Sequence, residues 1–219
     1  MKKIGIVGSG NLGRVVGLNW ATKGYDVFFG HRRPEVLERI KELAGDLPIR
    51  TGSNEEAVRE SDIIFYTLGA VLPSQIAAAS AWAGKIVIDP NNAFSRDGID
   101  HTVTTSFAER YQSDVPAAHV VKALNGHAQE TFELEAEQLR QTGAGSFFCG
   151  NDAAANQAVA ELINATGLTA IQSGTLDQAM LLEGLGKVLF PVWMARGLYI
   201  SLALVNLPQP AHPRFGGRQ

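Results

Sequence analysis

A glycine-rich segment near the N-terminus has the G-x-G-x-x-G spacing of a phosphate-binding turn. Its residues are Gly8, Ser9, Gly10, Asn11, Leu12 and Gly13. An apolar run precedes it and a helical pattern follows, which is the context in which this spacing binds a dinucleotide. The first glycine permits a tight turn, the second admits a pyrophosphate, and the third lets helix and strand pack closely. We therefore predict a dinucleotide site, the alternative being a glycine-rich turn without a ligand.

The turn after the second predicted strand indicates which dinucleotide is bound. NAD sites usually carry Asp or Glu about 20 residues past the glycines. Here that position reads Gly30-His31-Arg32-Arg33. Two guanidinium groups suit a 2′-phosphate through charge-assisted hydrogen bonds, and His31 is placed to add a contact or to stack beside the adenine. The segment predicts a preference for NADP(H); the alternative is a solvated basic turn.

Two further loops follow predicted strands of the same sheet. In an open parallel sheet the ligand lies outside the carboxyl ends of the strands. We expect the first loop to admit the ribose and pyrophosphate and the second to bind the nicotinamide or its ribose, unless the second is only an Asn- and Pro-rich turn. The first loop contributes Thr67, Leu68 and Gly69, and the second Pro90, Asn91 and Asn92.

The loop after the sixth strand carries the candidate catalytic residues, Asn125 and His127. A histidine with an ordinary pKa near neutrality could donate a proton to a reduced ring, although a solvated loop histidine is equally expected. Lys122, in the preceding strand, is predicted to be a surface charge, the alternative being a contact with a phosphate or an acidic group. Cys149 is expected to be packed and inert. We find no cluster of His, Cys and carboxylates with ligand spacing and predict no metal site.

Strand and helix patterns alternate along the chain. This alternation predicts an α/β fold with a doubly wound, mostly parallel sheet of the Rossmann type and a C-terminal helical extension. The predicted strands are residues 4–7, 26–30, 62–68, 85–89, 119–124, 145–149 and 168–172, with a weak one near Ile49. The predicted helices are residues 11–23, 34–44, 55–60, 73–82, 129–140, 153–166 and 177–206.

Composition limits the classes of protein that this chain can belong to. A net charge of −3 and a pI near 6.0 give no nucleic-acid footprint. The single cysteine precludes an intramolecular disulfide and favours a reducing, cytoplasmic setting. Two uncharged C-terminal runs are too short to span a bilayer. We predict a dinucleotide-binding domain over 1–176, a helical region over 177–207 as part of that domain or as a dimer interface, and a loose tail over 208–219.

Four motifs in this order resemble a known family. They occupy residues 6–13, 30–33, 120–125 and 148–152. The chain resembles the small NADP oxidoreductases that include the coenzyme F420-dependent NADP reductases and, more distantly, the reductase domain of the STEAP metalloreductases, over roughly residues 2–207. The resemblance implies hydride exchange between NADPH and a flavin or deazaflavin ring, with F420, FMN or FAD as the second redox partner. It also implies a homodimer formed through the C-terminal helices.

Other features leave alternatives open. The apolar stripe of the last helix is typical of core or of a dimer seam, and Glu183 and Lys187 are predicted to form a surface pair one helical turn apart. A non-catalytic NADP(H) sensor or scaffold is one alternative function. A small imine or hydroxyacid reductase is another, although the 43 residues after Leu176 are too few for the helical domain of that class.

Overall fold

A computed structural model describes residues 2–95, 98–100 and 102–205. Within these residues, eight strands form one sheet in the order β10-β9-β8-β5-β4-β1-β2-β3. All neighbouring strands are parallel except β8 and β9. The eight strands are β1 (Ile4–Val7), β2 (Val27–Gly30), β3 (Ile49–Gly52), β4 (Ile63–Tyr66), β5 (Ile86–Asp89), β8 (His119–Ala123), β9 (Gly145–Gly150) and β10 (Thr169–Gln172). The predicted fold class is therefore confirmed.

Helices cover both faces of the sheet because buried strand residues alternate between the faces. Ile4 and Ile6 pack with Trp20 on one face, whereas Val7 packs with Trp82 and Tyr111 on the other. The helices are α1 (Asn11–Thr22), α2 (Pro34–Ala44), α3 (Asn54–Arg59), α4 (Phe107–Asp114), α5 (Ala136–Thr142), α6 (Ala153–Ala165) and α7 (Ala179–Arg196). In the described residues, none of these helices is long and apolar enough to cross a membrane.

The predicted helix over 73–82 is wrong. Two short 3₁₀ turns, Pro73–Gln75 and Ala79–Trp82, occupy this segment. Extended backbone at Ala78 separates them. Trp82 is fully buried and donates its indole N–H to the carbonyl of Ala77. Tertiary burial of this large ring therefore overrides the helical preference of the alanines.

The helix predicted over residues 129–140 is also interrupted. A 3₁₀ turn spans Gln129–Glu133, and the chain is extended at Leu134 before α5 begins. The backbone N–H of Glu135, the residue before α5, then donates to Oε1 of Gln138 at 3.0 Å. A capping residue in the middle of the predicted helix is what divides it.

The C-terminal helix is shorter than predicted. It ends at Arg196, and Gly197 adopts a φ of +103° that turns the chain. The following segment returns to the sheet, where Ala203 forms an antiparallel bridge with Ala144. The predicted tail at 208–219 lies outside the described residues. Helix α4 and the hairpin of β6 (Phe94–Ser95) and β7 (Gly98–Ile99) were not predicted.

Candidate dinucleotide site

The glycine-rich loop joins β1 to α1 in the predicted geometry. Gly8 adopts a φ of +90°, which favours glycine. A Cβ added to Gly13 would lie 2.6 Å from the carbonyl oxygen of Gly8, so glycine is required for the helix to pack this closely. A Cβ added to Gly10 would meet nothing within 4 Å. The middle of the loop therefore leaves the space that a phosphate needs, at a helix start without a capping side chain.

Three side chains hold this loop in place. Ser9 is buried, and its Oγ donates to the carbonyl of Gly30 at 2.9 Å. Asn54, at the start of α3, accepts the N–H of Gly8 at 3.0 Å, and the hydroxyl of Thr67 donates to the carbonyl of Gly8. Ser9, predicted as a cofactor contact, thus supports the loop from inside. Asn54 was not predicted, because nothing in the sequence relates it to a loop 46 residues earlier.

The basic turn after β2 lies at one end of the site. Arg32 and Arg33 are exposed, and the Nε of Arg33 lies 3.8 Å from Glu35 in a loose, solvated pair. Nδ1 of His31 accepts the N–H of Arg33 at 3.1 Å. Desolvation, with a contribution from the two arginines, lowers the pKa of His31. Both guanidinium groups are therefore free to turn toward an anion beside a neutral imidazole.

A cleft of about 230 Å³ crosses the carboxyl ends of β2, β1, β4 and β5. Eight residues line it: Gly8, Gly10, Asn11, Leu12, His31, Thr67, Leu68 and Asn91. All eight belong to the predicted set. The other seven predicted residues do not line the cleft: Ser9, Gly13, Arg32, Arg33, Gly69, Pro90 and Asn92. Gly69 instead accepts a hydrogen bond from the hydroxyl of Tyr111, and Pro90 is buried. A larger groove of about 440 Å³ lies between α1, α2 and residues 132–135 and shares no lining residue with the cleft.

Asn92 and Asn125 hold α7 against the sheet edge. Nδ2 of Asn92 donates to the carbonyl of Asn125 at 2.7 Å. Nδ2 of Asn125 donates to Oδ1 of Asn92 at 2.9 Å and to the carbonyl of Leu182, in α7, at 2.7 Å. Both amide hydrogens of Asn125 are thus engaged within the protein. Asn125, which was predicted to be catalytic, therefore links α7 to Asn92 in this structure.

His127 does not have the near-neutral pKa on which its predicted role depended. It is buried, its ring meets the edge of Phe132, and its Nδ1 lies 3.3 Å from Oγ of Ser201. Burial lowers its pKa to about 4. The imidazole is therefore neutral at physiological pH and lies under the segment that follows α7.

Comparison with known proteins agrees with this geometry. Residues 3–93 match the family described as NADP oxidoreductase, coenzyme F420-dependent. These residues contain the glycine loop, the basic turn and every residue that lines the cleft. The match to the family therefore covers the dinucleotide-binding part of the chain.

Relatives and solved structures extend the likeness along the chain. The rat metalloreductase STEAP3 is 30% identical over 212 residues, which cover 93% of this chain and 41% of STEAP3. A putative F420-dependent NADP-reductase from Arthrobacter superposes with a TM-score of 0.79 at 24% identity, covering 94% of this chain and all of that one. An NADP⁺-bound imine reductase from Myxococcus stipitatus gives a TM-score of 0.58 at 16% identity over 88% of this chain and 62% of its own. The chain spans about two fifths of the length of the curated relatives it matches.

A buried ionic cluster beside the cleft was not predicted from the sequence. Lys122, predicted as a surface charge, is fully buried with Asp89 and Glu183. Its Nζ lies 2.9 Å from Oδ2 of Asp89 and 2.8 Å from Oε1 of Glu183. The predicted surface pair of Glu183 with Lys187 is therefore wrong, and Lys187 donates instead to the carbonyl of Asp100. A signal did exist, since each member of the cluster interrupts an apolar run.

Proposed function

We propose that the protein binds NADPH in this cleft and catalyses hydride transfer to a flat acceptor of the flavin or deazaflavin type. One observation carries the proposal: a single cleft runs from His31, which directly precedes the two exposed arginines, across the uncapped start of α1, to Asn91. This order matches a 2′-phosphate, a pyrophosphate and a nicotinamide in turn. The match of the cleft residues to the NADP oxidoreductase family supports the same assignment.

Different residues in and beside the cleft bind different parts of the cofactor. Arg32 and Arg33 neutralise the 2′-phosphate, the N–H groups of Asn11 and Leu12 at the helix start take the pyrophosphate, and Asn91 orients the nicotinamide half. Bound NADPH would supply a hydride, two electrons with one proton, to the acceptor ring, which takes its further proton from water. The protein contributes position rather than acid–base chemistry, which agrees with the neutral, buried state of His127.

The cofactor assignment is tested by titrating the protein with NADP⁺ and NAD⁺. We expect NADP⁺ to bind at least about 100-fold more tightly, since two charge-assisted contacts to the 2′-phosphate together contribute roughly 3 kcal/mol. The Arg32→Ala/Arg33→Ala variant should lose this preference while its NAD⁺ affinity stays unchanged. Lys41→Ala, on the exposed face of α2, is the matched control for lost positive charge. Equal affinity of the wild-type protein for the two cofactors would refute the assignment.

The acceptor is tested by following NADPH oxidation at 340 nm with FMN, FAD, F420, ferric chelates and quinones in turn. We expect turnover with at least one tricyclic ring. Tight NADPH binding without turnover on any acceptor would refute hydride transfer and leave a non-catalytic NADP(H) sensor.

We further propose that the protein forms a homodimer through α7. Leu181, Val188 and Met194 of this helix are 67%, 65% and 68% exposed. Leu181 and Val188 lie two turns apart on one face, with the small Gly184 between them, so two copies of the helix can approach closely. Equilibrium sedimentation should give a dimer for the wild-type protein and a monomer for Val188→Glu. A monomeric wild-type protein at micromolar concentration would refute the dimer.

A further inference from the structure

The buried cluster beside the cleft joins three elements of the fold. Lys122 comes from β8, Asp89 from the end of β5 and Glu183 from α7, and all three side chains are 0% exposed. Glu183 also accepts the N–H of Phe107, at the start of α4, at 2.8 Å. Burying charged groups is unfavourable unless each has a partner. A cluster of this kind at the edge of a ligand cleft therefore calls for a reason beyond stability.

Two members of the cluster, Lys122 and Asp89, contact one residue of the cleft, Asn91. Nζ of Lys122 donates to the carbonyl oxygen of Asn91. Oδ1 of Asp89 accepts the N–H of Asn91 at 2.9 Å and its Nδ2 at 2.7 Å. Nδ2 also donates to the carbonyl of Tyr66 at 2.8 Å. The backbone of Asn91 is therefore held on both sides, and both hydrogens of its amide are taken up inside the protein.

These contacts fix which way the amide of Asn91 faces. Since Nδ2 faces Asp89 and Tyr66, Oδ1 is left on the other side of the amide group. A Cβ built on Gly69, in the loop above β4, would lie 4.0 Å from this Oδ1. The side chain thus presents an acceptor, and not a donor, at the end of the cleft opposite the basic turn.

We propose that Lys122, Asp89 and Glu183 act as positioning residues that lock Asn91 as a hydrogen-bond acceptor for the nicotinamide half of the cofactor. The groups it would take are the carboxamide N–H₂ or a hydroxyl of the nicotinamide ribose, both of which are donors. This inference rests on the proposed function, because it requires that the nicotinamide lies at this end of the cleft. Because Glu183 belongs to α7, this cluster also links that helix to the residue that would contact the nicotinamide half.

The raised pKa of Glu183, caused by its burial, agrees with this arrangement. Removing only the lysine would leave two buried carboxylates without their cation, whereas removing lysine and glutamate together leaves one carboxylate that still accepts from Asn91.

The experiment compares two ligands of the same cleft. NADPH reaches both ends of it, whereas adenosine 2′,5′-bisphosphate carries no nicotinamide half and reaches only the basic turn and the glycine loop. We expect Lys122→Met to raise the Kd of NADPH about 3- to 10-fold, the effect of one weakened hydrogen bond, and to leave the Kd of the bisphosphate unchanged. Leu162→Ala, in the core on the opposite face of the sheet, is the control for destabilisation and should change neither Kd.

Two further variants keep the test decisive. The Lys122→Met/Glu183→Met variant replaces both residues by apolar side chains of similar length and should show the same selective loss if Lys122→Met alone does not fold. In an Asn91→Ala background, Lys122→Met should have no further effect on the Kd of NADPH, since the lysine acts through the asparagine.

The outcomes separate the two claims. Equal weakening of both ligands, no weakening of NADPH, or full additivity with Asn91→Ala would overturn the positioning role while leaving the proposed function intact. Failure of the wild-type protein to bind either ligand would refute the proposed function and this inference with it.

Discussion

A pair of glycine substitutions separates the fold of the phosphate loop from its ligand chemistry. Gly10 and Gly13 lie three residues apart in the same motif. A Cβ added to Gly13 would lie 2.6 Å from the carbonyl oxygen of Gly8 and 2.9 Å from Cγ2 of Ile6, whereas one added to Gly10 would meet nothing. Gly10 has a φ of −69° and a ψ of −156°, extended backbone at the border of the region that L-residues populate and outside the left-handed region that favours glycine. Gly13→Ala should therefore damage the fold, and Gly10→Ala only the binding of the ligand.

The magnitudes follow from what each methyl group meets. In Gly13→Ala the obstacle is backbone of the same loop, which cannot retreat cheaply, so we expect a loss of about 1–3 kcal/mol in the free energy of unfolding. In Gly10→Ala the free energy of unfolding should stay unchanged or rise by up to about 1 kcal/mol, because alanine restricts the unfolded chain. Its methyl group would occupy the place of a pyrophosphate oxygen. Losing one or two charge-assisted hydrogen bonds, roughly 3 kcal/mol, should weaken NADPH binding about 100-fold.

Urea unfolding and NADPH fluorescence titration measure the two quantities on the same samples. The expected pattern is a stable Gly10→Ala variant with weakened NADPH binding and a destabilised Gly13→Ala variant. The reasoning is refuted if Gly10→Ala binds NADPH as tightly as the wild-type protein, or if the two variants lose the same stability. Either result would mean that the open space at Gly10 is not the phosphate site.

Three further predictions concern buried groups. The pKa of His127 is lowered to about 4 in the folded protein. Between pH 6.5 and pH 4 the unfolded chain therefore binds a proton that the folded chain does not, and lowering the pH through this range should reduce the free energy of unfolding by up to roughly 3 kcal/mol. The His127→Phe variant should lack this part of the pH dependence in urea melts. Burial raises the pKa of Cys149 to about 12, so its thiol should react with DTNB at pH 8 roughly 1,000-fold more slowly than in the unfolded chain, and comparable rates would contradict the burial. A Cβ on Gly186 would lie 2.6 Å from the amide of Asn92, so Gly186→Ala should lower the free energy of unfolding by about 1–3 kcal/mol. A urea midpoint equal to that of the wild-type protein would contradict this close approach.

The phosphate loop could be predicted because its determinants are local. The effects of Gly8, Gly10 and Gly13 depend on the backbone conformation and the free space within one turn. The flanking apolar runs indicate the strands and the helix on either side. The same holds for the basic turn at Arg32 and Arg33, which directly follows a strand. Residues at the ends of parallel strands share one edge of a sheet, so strand order was enough to bring Thr67 and Asn91 to the loop.

The buried charges could not be predicted in this way, because their partners are distant in sequence. Lys122 is 33 residues from Asp89 and 61 residues from Glu183. A lysine is ordinarily exposed, and only the simultaneous placement of two carboxylates makes its burial tolerable. Charges of opposite sign inside separate apolar runs are a usable signal, since a buried charge needs a partner from another such run. The break at Leu134 and the 3₁₀ turns before Trp82 depend on tertiary packing in the same way.

The two ends of the cleft are built differently, so substitutions at each end should have different effects on binding and stability. Arg32 and Arg33 are exposed and touch little else, so substitutions there alter the choice between NADP(H) and NAD(H) at little cost in stability. Asn91 depends on Lys122, Asp89 and Glu183, so substitutions at that end change binding, packing of α7 and stability together. Substituting the two surface arginines should therefore be enough to change the preference between NADP(H) and NAD(H). The geometry at the nicotinamide end should change only through coordinated replacement of the whole cluster.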